Sequence, residues 1–137
     1  MSSGTNYVYV FARDGERGLT SPVKVGISKD VVKRLSNIQT SSPFLVKIAY
    51  AFAVPDARIA RDIERAFHET QKYKRAHGEW FDYEPVQAIH ILCVCLRTAL
   101  AANLGDDHAL IDAALELSGV LAAEQRFNLA IPGRTAH

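Results

Sequence analysis

Two short segments constrain this chain more than anything else in it: Tyr7-Val8-Tyr9-Val10-Phe11 and Val23-Lys24-Val25-Gly26-Ile27. Each alternates apolar side chains with polar-capable ones and is rich in β-branched and aromatic residues, the composition of half-buried strands. Eight positions after Gly26 stands Arg34. A hydroxyl from Tyr9, an ammonium from Lys24 and a guanidinium from Arg34 are the groups that can gather around one phosphate. Farther on, Glu64 is a carboxylate on an expected helix face that can join them.

Composition narrows the partners. The chain has 137 residues, 48% hydrophobic and 23% charged, which is ordinary for a folded domain and argues against wholesale disorder. A net charge of only +1 argues against a protein that coats nucleic acid without specificity. The charge is uneven, however: residues 1–84 carry 13 Lys and Arg against 10 Asp and Glu, whereas residues 85–137 carry 3 against 5. The first part is therefore the half suited to a polyanion. No basic region followed by an apolar run opens the sequence, so no signal peptide is expected. The apolar run Ala88–Leu96 is too short and interrupted to span a bilayer. Cys93 and Cys95 stand two residues apart inside it, a spacing unsuited to a disulfide, so buried reduced thiols and a cytoplasmic setting are expected.

The periodicity predicts a small α/β (α+β) fold: a three-stranded, mainly antiparallel sheet flanked by helices, with a C-terminal helical hairpin. Strands are predicted over 7–12, 23–27 and 45–54, the last so apolar that it reads as central and covered on both faces. The polar stretch Arg13–Pro22 reads as a connection longer than a tight hairpin. Ser28 is expected to cap a helix over 30–38, and Pro55-Asp56 to open a long helix over 57–73 with an apolar stripe of Ala60, Ile63, Phe67 and Thr70. Glu79-Trp80-Phe81 returns to the sheet. Two helices follow, over 86–104 and 107–126. The first is apolar nearly all round and needs cover, from its partner helix or from a second subunit. The expected division is a module over 1–84 and a two-helix extension over 85–137, packed on the module or forming a homodimer contact.

The order of tyrosine strand, Lys-Val-Gly strand, arginine on a short helix, third strand and glutamate-bearing helix resembles the GIY-YIG endonuclease superfamily. It is most similar to the phage-type branch, in which lysine replaces the second signature tyrosine. The resemblance covers roughly residues 6–84. It implies a nuclease that hydrolyses DNA phosphodiesters with one divalent cation, Mg²⁺, or Mn²⁺ in its place. By this resemblance Tyr9 takes the first signature tyrosine, and Lys24, Val25 and Gly26 take the second signature. Arg34 takes the catalytic arginine and Glu64 the metal-binding glutamate. Two letters depart from the namesake pattern: Tyr7 stands in a glycine place and Lys24 in a tyrosine place. The asparagine that follows the glutamate in many relatives is not evident, with Glu79 or His77 as substitutes.

The chemistry supports those roles independently. Phosphodiester hydrolysis accumulates negative charge on the phosphate and leaving oxygens, and fixed cations beside them lower the barrier. Mg²⁺ needs only one or two protein carboxylates. Arg34 can bridge two phosphate oxygens. Tyr9 can orient water, but with an ordinary pKa of about 10 it needs a sizeable downward shift to act as a base; Lys24 can supply that shift electrostatically, the preferred role, or can itself hold the water. His68, one turn beyond Glu64, can bind the water, the phosphate or Glu64 itself. Arg58, Arg61 and Arg65 on the same helix would hold the DNA backbone.

Taken singly, each residue has a plainer reading. Tyr7 and Tyr9 are strand aromatics, Lys24 an edge lysine, Arg34 a solvated helix charge, and Glu64 with His68 a surface pair. Trp80 and Phe81 would seal the sheet, with Glu79 held near an arginine. Only the joint order favours a shared site. The competing reading is an inactive nucleic-acid-binding or protein-interaction module on the same fold.

Overall fold

A computed structural model describes residues 5–129, apart from the side chain of His77. It is an α+β fold of five antiparallel strands and five helices, with sheet order β3-β1-β2-β5-β4. The expected three strands are joined by two short ones.

β1 (Asn6–Gly15) and β2 (Gly18–Ser28) form one long hairpin. The connection is a tight turn of Glu16 and Arg17 between the paired glycines 15 and 18, not the long loop that Pro22 suggested. The register explains the discrepancy. Ala12 faces Val23 and Arg13 faces Thr20, so Ser21 and Pro22 are bulged out of the ladder and proline is accommodated there.

Helix α1 (Val31–Ser41) follows, capped by Asp30, whose side chain accepts from the Lys33 N–H at 3.0 Å. Ser28, expected as the cap, instead accepts from the Asp30 N–H. β3 (Val46–Val54) pairs with β1 alone and is an edge strand, which corrects its reading as central. Its apolar character has another cause: α1, α2 and α4 all pack on it.

Helix α2 (Ala57–Thr70) is capped by Asp56 and gives way to a 3₁₀ turn at Lys72–Lys74, so it ends earlier than Tyr73. Its Ile59, Ala60, Ile63 and Phe67 are buried, while Thr70 is exposed. β4 (Arg75–His77) and β5 (Trp80–Phe81) then extend the sheet beyond β2.

Helix α3 (Pro85–Leu104) starts with a Glu84–Gln87 capping box and stops at Gly105. By length and composition it could cross a bilayer (mean hydropathy 1.5). Its Ala88, Ile89, Leu92, Leu96 and Leu100 are instead buried in the core that α2 and the sheet share. The expected single last helix is two, α4 (His108–Ser118) and α5 (Val120–Arg126), broken at Gly119 with φ 91°. A Cβ there would also crowd the Tyr50 hydroxyl at 3.2 Å.

The strand period of two divides the sheet into unlike faces. Val8, Val10, Ala12, Val23 and Val25 enter the core with α2 and α3. Tyr9 and Phe11 lie on the other side, with Ile38 of α1 and Val46 of β3.

Candidate active site

The pairing register places Tyr9 opposite Gly26 and Phe11 opposite Lys24. Directly paired residues share a face, so Tyr9, Lys24 and Gly26 rise together on the α1 side. The glycine is required by this arrangement. A Cβ on Gly26 would sit 2.3 Å from the Tyr9 hydroxyl and 2.6 Å from Cζ, so the phenol lies directly over it. Tyr9 is held flat by stacking on Phe11, with ring centroids 4.0 Å apart.

β5 pairs with β2 only at Val23 and Lys24, so among the described residues β2 has no strand partner on its outer edge from Val25 onward. Functional side chains arrive at this open edge from both faces. Arg34, one turn into α1, donates from Nε to the Tyr9 hydroxyl at 3.4 Å. From α2 on the other side, His68 donates from Nε2 to the Val25 carbonyl at 2.9 Å. Glu79, in the turn before β5, accepts from Lys24 Nζ at 2.7 Å. A cleft of about 270 Å³ is lined by Arg61, Glu64, Arg65, His68 and Glu79.

These groups feel one another's charge. Burial raises the Glu64 carboxyl above its ordinary range, with Glu79 adding, while His68, Lys24 and Arg34 pull it down. Glu79 is lowered, first by its hydrogen bond from Lys24 and then by that ammonium's charge. Tyr9 is raised by burial, which outweighs the hydrogen bond and charge of Arg34. The cation acting on the phenol is thus Arg34. Lys24, expected to depress Tyr9, is committed to Glu79, so the phenol stays neutral. Glu79 accordingly pairs with a lysine, not with the arginine the sequence suggested.

The other candidates are placed as follows. Tyr7 shares the Tyr9 face at the start of β1, opposite Ser28. Arg61 and Arg65 line the cleft, Arg65 also pairing with Asp62 at 3.5 Å. Arg58 is exposed near the start of α2 and outside the cleft lining. The side chain of His77 lies outside the described residues. Cys93 and Cys95 are free thiols on α3, Cys93 pushed up to about 12 by burial.

A small, hard dication fits this donor set in one way. Among the described residues no cluster of three or more His, Cys, Asp or Glu would hold a metal by itself. Glu79 is occupied by Lys24, whereas no hydrogen bond or ion pair to another described residue engages the partly desolvated Glu64 carboxylate. Mg²⁺ keeps most of its water and accepts a single carboxylate with phosphate oxygens, so Glu64 suffices as its protein anchor.

Residues 6–95, from the start of β1 into α3, match the family model described as the T5orf172 domain. The chain belongs to the T5orf172 domain family. The match spans the whole sheet, α1, α2 and the first half of α3, so the T5orf172 domain includes every residue of the site. No curated protein and no solved structure matches the chain.

Sequence reasoning passed over the surroundings of this T5orf172 site. Phe44, Trp80 and Asn37 line a second cavity that adjoins Lys24 and Arg34. Asn37 lies three residues after Arg34 on α1, a helical spacing that marks it as a neighbour.

Proposed function

We propose that this T5orf172 domain is a metal-dependent DNA endonuclease of the GIY-YIG type, acting through a single-metal site. One observation carries the reading: Tyr9, Lys24, Arg34, Glu64 and His68, drawn from four elements, lie within electrostatic reach of one another around the point where β2 loses its pairing with β5. A structural edge requires no desolvated carboxylate, two cations and a buried phenol together, and perturbed groups in a cleft are characteristic of reaction sites.

The division of labour follows from the geometry. Glu64 would hold the dication, which when bound supplies positive charge to the scissile phosphate. Arg34 is exposed enough to reach a phosphate while its Nε remains on Tyr9, and its fork contacts non-bridging oxygens. Lys24 adds a second fixed cation, with Glu79 keeping it oriented. Tyr9, being neutral, orients the attacking water rather than deprotonating it. His68 spends its Nε2 proton on the Val25 carbonyl, which leaves Nδ1 of the neutral ring as the proton acceptor. Arg61 and Arg65, with Arg58 farther along, hold the flanking backbone.

The test is plasmid cleavage by the wild-type chain with Mg²⁺, Mn²⁺ or EDTA, beside DNA binding in EDTA across a salt series. Cleavage with either metal and none in EDTA is expected. Binding without cleavage under every condition would make the protein a binding module on this fold.

A further inference from the structure

The second cavity, about 510 Å³, opens beside the site on the α1 side of the sheet. Its size lies within the range of pockets that enclose small ligands, roughly 300–1,000 Å³. Lys24 and Arg34 are part of its lining. Trp80 and Phe44 form an aromatic wall, edge to face at 5.3 Å between centroids. The α1 contribution is a stripe at helical spacing, Arg34, Asn37, Ile38 and Ser41.

The polar side chains of this lining are not equivalent. Ser41 donates its hydroxyl to the Ile38 carbonyl and Ser42 donates to the Phe44 carbonyl. The Asn37 amide has no side-chain hydrogen bond among the described residues, and it offers both a donor and an acceptor. The cavity thus brings together two cations, two aromatic rings and one amide with no side-chain hydrogen bond among the described residues. A nucleotide offers a group to each: a phosphate, a flat ring and a hydrogen-bonding edge.

Resting on the nuclease reading above, we propose that this cavity receives an unpaired base of the DNA strand whose phosphate lies against Lys24 and Arg34. The base stacks on one of the two rings, Trp80 or Phe44, and Asn37 reads its edge. A base inside a duplex has both faces covered and cannot enter a recess, so the preferred substrate carries an unstacked nucleotide next to the cut: a single strand, a flap or a bulge.

Trp80 is the only tryptophan in the chain, so its fluorescence reports the cavity directly. The wild-type chain in EDTA is titrated with a short oligothymidylate, an abasic oligomer of equal length and a blunt-ended, fully paired duplex of two strands. The oligothymidylate should quench Trp80 and bind at least about fivefold more tightly than the abasic strand, the low end for one stacked base. The other two should leave the emission unchanged. Asn37→Ala, an exposed helix position where alanine suits the backbone, should weaken oligothymidylate and not abasic binding. Equal affinities without quenching would overturn the proposal. Cleavage with Mg²⁺ on the same three substrates separates the two readings. Equal cutting of all three would reject the base pocket and leave the nuclease standing. Quenching without cutting in Mg²⁺ or Mn²⁺ would reject the nuclease and leave the pocket.

Discussion

The two faces of the β1–β2 hairpin are built from alternate residues of the same strands, yet they do opposite things. Val8, Val10, Val23 and Val25 are sealed beneath α2 and α3 and carry no polar group in their side chains. Their immediate neighbours Tyr9, Lys24 and Gly26 belong to the proposed site, beneath the thinner cover of α1. Burial alone does not distinguish the faces, because Tyr9 and Lys24 are only 2% and 8% exposed. What differs is how burial is spent. On one face it removes apolar surface from water and stabilises the fold. On the other it desolvates polar groups, and burial raises the Tyr9 hydroxyl above its ordinary value. On the proposed reading, one strand holds stability and reactivity at successive positions.

Opposite partition of mutational effects is the strongest way to break this contrast. Ile63→Ala removes a side chain 1% exposed in the α2 core and should cost ~2–5 kcal/mol in chemical denaturation, with the folded fraction still cutting DNA. Arg34→Ala should do the reverse: about a 10²–10³-fold loss of cleavage rate with almost no change in melting temperature. Similar stability losses in both variants would erase the distinction between the faces.

Gly26→Ala tests where the faces touch. Its Cβ would overlap the Tyr9 phenol, which is stacked on Phe11 and cannot swing away freely. A stability loss of ~1–3 kcal/mol is expected, typical of overpacking, together with loss of cleavage as Tyr9 leaves Arg34. Retained activity with wild-type stability would show that the phenol does not lie where the account needs it.

The smallest effect concerns pH. Glu64 is held above the usual carboxylate range, so the folded chain binds its proton more tightly than the unfolded chain does. Stability linked to this group is therefore greatest at acid pH and is lost as pH rises from the ordinary carboxylate pKa through the raised one. Cleavage runs the other way, because anchoring a dication requires the ionised form. With the dication well below saturation, the acid limb of the cleavage profile should thus lie above the ordinary glutamate range. An acid limb at or below that range under this condition would remove Glu64 as the controlling group. Glu79, shifted down by Lys24, favours folding above the ordinary carboxylate pKa and loses that contribution as pH falls through its lowered value. With its side chain 63% exposed, that contribution is at most about 1 kcal/mol.

Much of this was legible in the residues, for identifiable reasons. Alternation and β-branched composition located β1 and β2, and the helix expected over 30–38 located α1, though not its cap. Punctuation misled where packing overrode it: Pro22 reads as the end of a loop but sits in a bulge. The apolar run of β3 reads as a central strand, whereas helices cover an edge strand as fully as neighbouring strands cover a central one. Partnerships were the least legible feature. The anchor of His68 is the Val25 carbonyl, a backbone group that leaves no trace in residue identity. The choice of Lys24 over an arginine by Glu79 depends on the short β5, which sets how far the turn reaches.

The central claim rests on Glu64 as the anchor of a working site, and Glu64→Gln tests it most directly. The substitution keeps the side chain's shape while removing its charge. Because ionised Glu64 is disfavoured by burial, the variant should melt at or slightly above the wild-type temperature at neutral pH. Plasmid cleavage in Mg²⁺, measured on that folded variant, should fall to the level seen in EDTA. Cleavage at the wild-type rate would contradict the account.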